Sequence, residues 1–132
     1  MSYCAVIDSD VLIDALRQDL MTTQILGGLS QQGQLAVSII TRLEIVIGCR
    51  DKVTLQRTER LLKAFVVLPV NESISQVADE LVTFYHLSNG MRIADALIGA
   101  TALYHGLPFL TKNQRDFRFI PGLKLLPYPP AA

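Results

Sequence analysis

Apolar residues recur along this chain with two different periods, and the switches between them mark out its elements. Tyr3 to Ile7 is a short continuous apolar run, and Val11, Leu12, Ile13, Ala15 and Leu16 follow at helical spacing. The pattern then predicts a helix from about Met21 to Gln32, closed by Gly33, and a strand over Leu35 to Ile39. Thr41 to Cys49 reads as a helix, with Thr41 and Glu44 at the spacing of a capping box in which Glu44 reaches back to the Thr41 backbone. Val53 to Ala64 is amphipathic and basic on its polar face, and Phe65 to Leu68 reads as a third strand stopped by Pro69. A further helix over Ile74 to Leu87 gathers Ile74, Val77, Ala78, Leu81, Val82 and Tyr85 on one face and stops at Asn89-Gly90.

Ile93 to Tyr104 is a strongly apolar helix with one acid, Asp95, in its first turn and Gly106 as its stop. Pro108 to Thr111 is expected as a fourth short strand, Asn113 to Phe117 as a turn or short helix, and Leu123 to Leu126 as a last strand. The stretch from Pro127 to Ala132, with Pro127, Pro129 and Pro130, is expected to be an extended, exposed tail. Strands alternating with helices predict an α/β fold with right-handed crossovers and a mainly parallel sheet of four to five strands, covered on both faces. No repeat, linker or low-complexity stretch interrupts the pattern, so residues 1–132 are expected to form a single domain.

Composition narrows the function classes. The chain has 132 residues, half of them apolar, without a run near the roughly 18 residues of a membrane span. A protein free of membranes is expected, and Met1-Ser2-Tyr3-Cys4, with no basic region or cleavage site, reads as a cytoplasmic start. Cys4 and Cys49 are too far apart for a Cys-x-x-Cys motif and are expected as buried free thiols. A formal net charge of zero argues against a protein that holds nucleic acid by being basic. The charges nevertheless run in blocks. Arg17 stands against Asp8, Asp10, Asp14 and Asp19, whereas the segment from Arg42 to Lys63 is mainly basic, the one from Glu72 to Asp95 mainly acidic, and the C-terminal part basic again. Acids flanked by basic segments suit a polyanion held around metal ions, and equally suit solvated helix faces of mixed sign.

Chemistry enters where the first strand runs into Asp8-Ser9-Asp10 and the start of a helix. Ligands of open parallel sheets bind beyond the carboxyl ends of the strands, which makes Asp8 a candidate by position. The competing reading is helix capping, which fits Asp10 better than Asp8 because Asp8 interrupts the apolar run itself. In a parallel sheet Asp8, Glu44, Asp95 and the turn from Asn113 to Asp116 would converge on the same edge although they are spread over the whole chain. Carboxylates with open water positions are what Mg²⁺ or Mn²⁺ requires, whereas zinc would want Cys or His, and His86 and His105 fit no metal spacing. Metal held by carboxylates without a histidine base suits phosphoryl chemistry, with a phosphodiester as the natural substrate.

The segments VIDSDVLI, SIITRLEIVIG and IADALIGATALYHGLPFLTKNQRDF, with IPGL after them, resemble the PIN domain in order and spacing, and most closely its VapC-type toxins. That resemblance implies an α/β/α sandwich of strand order 3-2-1-4-5 and a Mg²⁺- or Mn²⁺-dependent endoribonuclease. It also implies a homodimer and a small VapB-type antitoxin that inserts a helix and a basic side chain near the acids. Asp8, Glu44 and Asp95 match the first three family carboxylates, with Asp8 and Asp95 expected on the metal and Glu44 completing the shell or orienting water. At the fourth position Asn113 stands where some members carry Asp, and Asp116 is the nearby acid. The family's usual Asp-Thr-Asn opening is here Asp8-Ser9-Asp10, so Ser9 is expected to supply the hydroxyl and Asp10 to cap the helix or hold a metal-bound water. Thr111, Asn113 and Arg115 are expected to position phosphate or order waters, and basic residues of the helix from Val53 and of Lys112 to Arg118 to hold the RNA backbone. Asp8-x-Asp10 also resembles the opening of haloacid-dehalogenase phosphatases, which would need a downstream lysine such as Lys112. A third reading is a PIN-like module that binds RNA or protein without cutting.

Overall fold

The structure, a computed structural model, describes residues 2–130. Strands β1 (Tyr3–Ile7), β2 (Gln34–Ser38), β3 (Phe65–Leu68) and β4 (Phe109–Leu110) form one parallel sheet in the order β3-β2-β1-β4. Helices α1 (Ser9–Leu16) and α2 (Leu20–Ser30) follow β1, α3 (Ile39–Ile47) and α4 (Lys52–Leu62) follow β2, and α5 (Glu72–Asn89) and α6 (Ile93–His105) follow β3.

Period-two alternation explains why the strands are apolar throughout. Val6, Ala36 and Phe109 turn to one face, where they pack with Ile74, Ala78 and Leu81 of α5 and Ile98 and Ala102 of α6. Ala5, Ile7, Leu35, Val37, Phe65 and Leu110 turn to the other, against Val11 and Leu12 of α1, Leu26 of α2, Ile45 of α3 and Leu62 of α4. A parallel sheet buried on both faces needs both sets, which is why no polar residue interrupts Ala5 to Ile7. Because the chain builds outward from β1 to β3 on one side and returns with β4 on the other, the switch point lies between β1 and β4. The residues following those two strands, Asp8 and Thr111, therefore meet there.

Several local expectations are corrected. The second helix ends at Ser30 with Gln31 as its cap, and is not closed by Gly33. A Cβ at Gly33 would stand 3.1 Å from the Ser2 carbonyl and 3.2 Å from Cys4 Cβ, so the glycine permits close approach to the start of β1. Helix α3 begins directly after β2, with the Ser38 hydroxyl accepting the Ile40 N–H at 3.1 Å. The Thr41 capping box does not form, and Thr41 lies fully buried with its hydroxyl unpartnered. Asp8, rather than Asp10, is the N-cap of α1.

The expected fifth strand is reduced to one bridge between Leu125 and Phe109, held by Phe109 N–H to Lys124 O and Leu126 N–H to Phe109 O, both 2.9 Å. Pro127 follows and has no N–H to continue a ladder. The tail is not simply exposed: Leu126 and Tyr128 pack against the second core face, and the Tyr128 hydroxyl lies 3.1 Å from Thr22 Oγ1. Ala131 and Ala132 of that tail lie outside the described residues. Both thiols are free and only half-buried. Among the described residues no helix is long and apolar enough to cross a membrane.

Candidate active site

Asp8 leaves β1 at the switch point and is buried. Its Oδ1 accepts the Ser9 N–H at 2.8 Å, with the Ser9 hydroxyl at 3.5 Å, and its Oδ2 accepts the Thr111 hydroxyl at 2.8 Å. Those donors pull its acidity toward the ordinary range, but burial and then the charge of Asp10 win, with Asp95 adding to them, and the carboxyl is pushed up to about 7. A carboxylate that is hard to ionise because it is dry and faces like charges gains most from a cation.

Asp10 lies in the first turn of α1, two residues past its cap. Its Oδ2 accepts the Lys112 N–H at 3.0 Å, the Asn113 N–H at 3.1 Å and the Thr111 hydroxyl at 3.2 Å, so this single oxygen organises the loop that follows β4. Its Oδ1 is buried without a partner. The loop is closed from its far side by Gln114, whose Nε2 donates to Thr111 O at 2.7 Å and Leu126 O at 3.1 Å. These contacts leave Asp10 poorly placed to be a phosphatase's general acid. Lys112, the lysine that reading required, is bound instead to Asp14 at 2.6 Å.

Asp95 comes from the first turn of α6, where an acid is favoured by the helix dipole. It is largely buried, and burial raises its pKa first; Arg92 opposes the rise, while Asp116 and Asp10 add to it. Glu44, from the exposed side of α3, is also raised by partial desolvation, with the nearby Ser9 hydroxyl and Arg92 lowering it and Asp95 raising it. Asp116, in a short 3-10 turn (Gln114–Asp116), accepts the Asn113 Nδ2–H at 2.6 Å. Asp8, Glu44, Asp95 and Asp116 thus share one electrostatic neighbourhood, with Ser9, Asp10, Thr111 and Asn113 around them. Arg115 is exposed and no contact joins it to the carboxylates.

Sequence reasoning missed Arg92. Its Nε stands 3.6 Å from Asp95 Oδ2 and its Nη2 3.8 Å from Asp116 Oδ2. The only signal was its position three residues before Asp95. His86 and His105 lie in the last turns of α5 and α6.

The donor set is oxygen alone, which suits Mg²⁺ or Mn²⁺. Among the described residues no three His, Cys, Asp or Glu side chains stand close enough to grip an ion ready-made. Two features nevertheless fit one: the orphaned Asp10 Oδ1 and the raised pKa of Asp8 are both penalties of an acidic pocket that a cation would relieve.

The PIN domain family profile matches residues 5–123. Ribonuclease VapC10 of Mycobacterium tuberculosis is 36% identical over 121 residues, covering 89% of each chain. A toxin-antitoxin complex from Klebsiella pneumoniae contains a chain 30% identical, with a TM-score of 0.75, covering 90% of this chain and 94% of that one. VapBC2 of Rickettsia felis, bound to a DNA fragment from its promoter, superimposes with a TM-score of 0.83 over 94% of this chain and 97% of that one at 19% identity, a likeness of fold.

Proposed function

The chain belongs to the PIN domain family, among its VapC members, and on that premise we propose that it is a metal-dependent endoribonuclease restrained by a small VapB-type antitoxin. The observation that supports the reading is that the charge of Asp95 is felt by both Asp8 and Glu44 beside the sheet's switch point, with buried Asp8 held at about 7. Asp8 and Asp95 would hold Mg²⁺ or Mn²⁺, and Glu44, at the solvent side, would complete the shell or orient the attacking water. Such an ion, when bound, lowers the pKa of water and offsets charge on the scissile phosphate.

The chain's own residues do the rest. Thr111 and the Ser9 N–H fix both oxygens of Asp8, and Asp10 fixes the loop carrying Thr111 and Asn113. Asn113 in turn holds Asp116 at the outer edge. Val11 and Leu12, fully buried behind Asp8, keep water from that side. Arg60 on the exposed side of α4, Lys63 at its C-cap and Arg115 and Arg118 near the β4 loop are exposed and would meet RNA phosphates, contacts that give affinity more than sequence choice, while Arg57 donates to the Leu16 carbonyl at 3.1 Å. The same reading makes the protein a cytoplasmic homodimer, for which the solvent-exposed Phe84 and Leu87 of α5 and Ile93 of α6 offer apolar surface.

Incubating the purified protein with total RNA in Mg²⁺ or Mn²⁺, with and without chelator, and mapping the ends tests the activity. Chelator-insensitive cleavage, or none from wild type, would remove the reading. Co-expression with the neighbouring reading frame, followed by purification and light scattering, tests the partners. A monomer at micromolar concentration with no small protein bound counts against both.

A further inference from the structure

Arg92 is placed differently from every other cation near the site. It is the N-cap residue of α6 but makes no side-chain cap bond, so the helix start does not depend on its side chain. Its side chain is 73% exposed and reaches Asp95 and Asp116 only at 3.6 and 3.8 Å, beyond hydrogen-bond length. Contacts so long and exposed hold weakly, and they leave the donors of the planar fork unused. Its charge also lowers the pKa of Glu44, so it overlooks carboxylates from α3, α6 and the 3-10 turn at once. Lys112, in the loop itself, is committed to Asp14.

A strand of RNA brought to a cluster of carboxylates meets repulsion on every phosphate except the one a metal offsets. The neighbouring phosphates therefore need a cation at the mouth of the site, and a guanidinium fork matches their geometry. We propose that Arg92 is a substrate-holding residue: in the metal-free protein its guanidinium rests across Asp95 and Asp116, and once those carboxylates are engaged it turns outward to grip a backbone phosphate of the RNA. The assignment rests on the ribonuclease reading above, and it gives Arg92 two opposite effects. It competes weakly with a cation for Asp95 and favours the polyanion.

Those opposite signs make the test specific. Arg92→Gln should weaken binding of a short 2′-O-methyl RNA, verified intact by gel, roughly tenfold in Mn²⁺. The slope of log affinity against log salt should fall by about 0.7, the share of one phosphate contact on a single strand. Mn²⁺ titrated calorimetrically without RNA should bind Arg92→Gln as tightly as wild type or up to about fivefold tighter, since only an exposed ion pair is removed. Arg92→Lys should keep the salt slope while binding RNA less tightly than wild type. Unchanged RNA affinity and slope in Arg92→Gln, while wild type still cuts RNA, would overturn the assignment, as would loss of Mn²⁺ binding together with RNA binding. Failure of wild type to cut RNA would instead overturn the ribonuclease reading, and this assignment with it.

Discussion

The Thr111 hydroxyl donates to Asp8 Oδ2 at 2.8 Å, joining residues 103 apart in sequence across the ends of adjacent strands. With the Ser9 N–H it lowers the pKa of a carboxyl that burial, Asp10 and Asp95 raise.

Replacing that hydroxyl gives the first prediction. Thr111→Val keeps the volume but leaves Asp8 short of a donor, and it also removes the 3.0 Å acceptor of the Asn113 N–H. A lost hydrogen bond to a charged group costs about 1.5–3 kcal/mol. The pKa of Asp8 should move further up, and the acid limb of the RNA-cleavage profile should move to higher pH. Urea unfolding at pH 8 and cleavage rates across pH 5–9 measure the two effects. An unchanged profile would show that Thr111 does not govern Asp8.

The raised pKa of Asp8 has a signed consequence for stability without metal. Asp8 is held at about 7 in the fold against 3.8 as its ordinary value, so the folded state binds the proton more tightly. Its contribution is fully present below about pH 4 and is lost as pH rises through about 7. Between pH 5 and pH 8 the metal-free protein should lose on the order of 3 kcal/mol from this group, and Asp95 and Glu44 act in the same direction. Asp8→Asn, which cannot ionise, should flatten much of that slope and melt higher than wild type at pH 8. Chemical denaturation of both proteins at the two pH values checks it; parallel slopes would contradict the burial argument.

Metal should reverse the order. A divalent ion that binds the fold and not the unfolded chain stabilises by about 2.7 kcal/mol at roughly 100 times its dissociation constant. For a chain of this size that is a melting rise on the order of several degrees. Wild type should show the rise with Mn²⁺ or Mg²⁺, while Asp8→Asn and Asp95→Asn should show little of it and should lose RNA cleavage with the fold intact. Equal metal shifts in all three proteins would exclude these acids as the metal site.

Helix α3 offers a test independent of activity. Ser38 caps it and is buried, so Ser38→Ala should cost about 1 kcal/mol. Thr41, buried with an unpartnered hydroxyl, should tolerate valine with neutral or improved stability, because the change removes a polar group that gains nothing from burial. The reverse ranking in thermal scans would restore the capping box at Thr41.

What the sequence by itself determined was everything carried by a local period. Strands β1 and β3 lie where continuous apolar runs demand them, and α5 and α6 end at Gly90 and Gly106, whose positive φ of 67° and 63° suits glycine. The placing of Asp8, Glu44 and Asp95 near one edge also followed from alternating strands and helices alone. Tertiary structure decided what no local period encodes. Asp8 both caps α1 and has a raised pKa, because the fold buries it beside Asp10 while Thr111 and Ser9 only partly offset that burial. Asp10 became the anchor of a loop 101 to 103 residues away, Ser38 rather than Thr41 started α3, and Tyr128 folded the tail onto Thr22. Arg92 reached Asp116 only because the start of α6 and the 3-10 turn after β4 lie side by side. Hydrogen bonds and charges act through space, and packing the two faces of one sheet brings together groups that the order of residues holds apart.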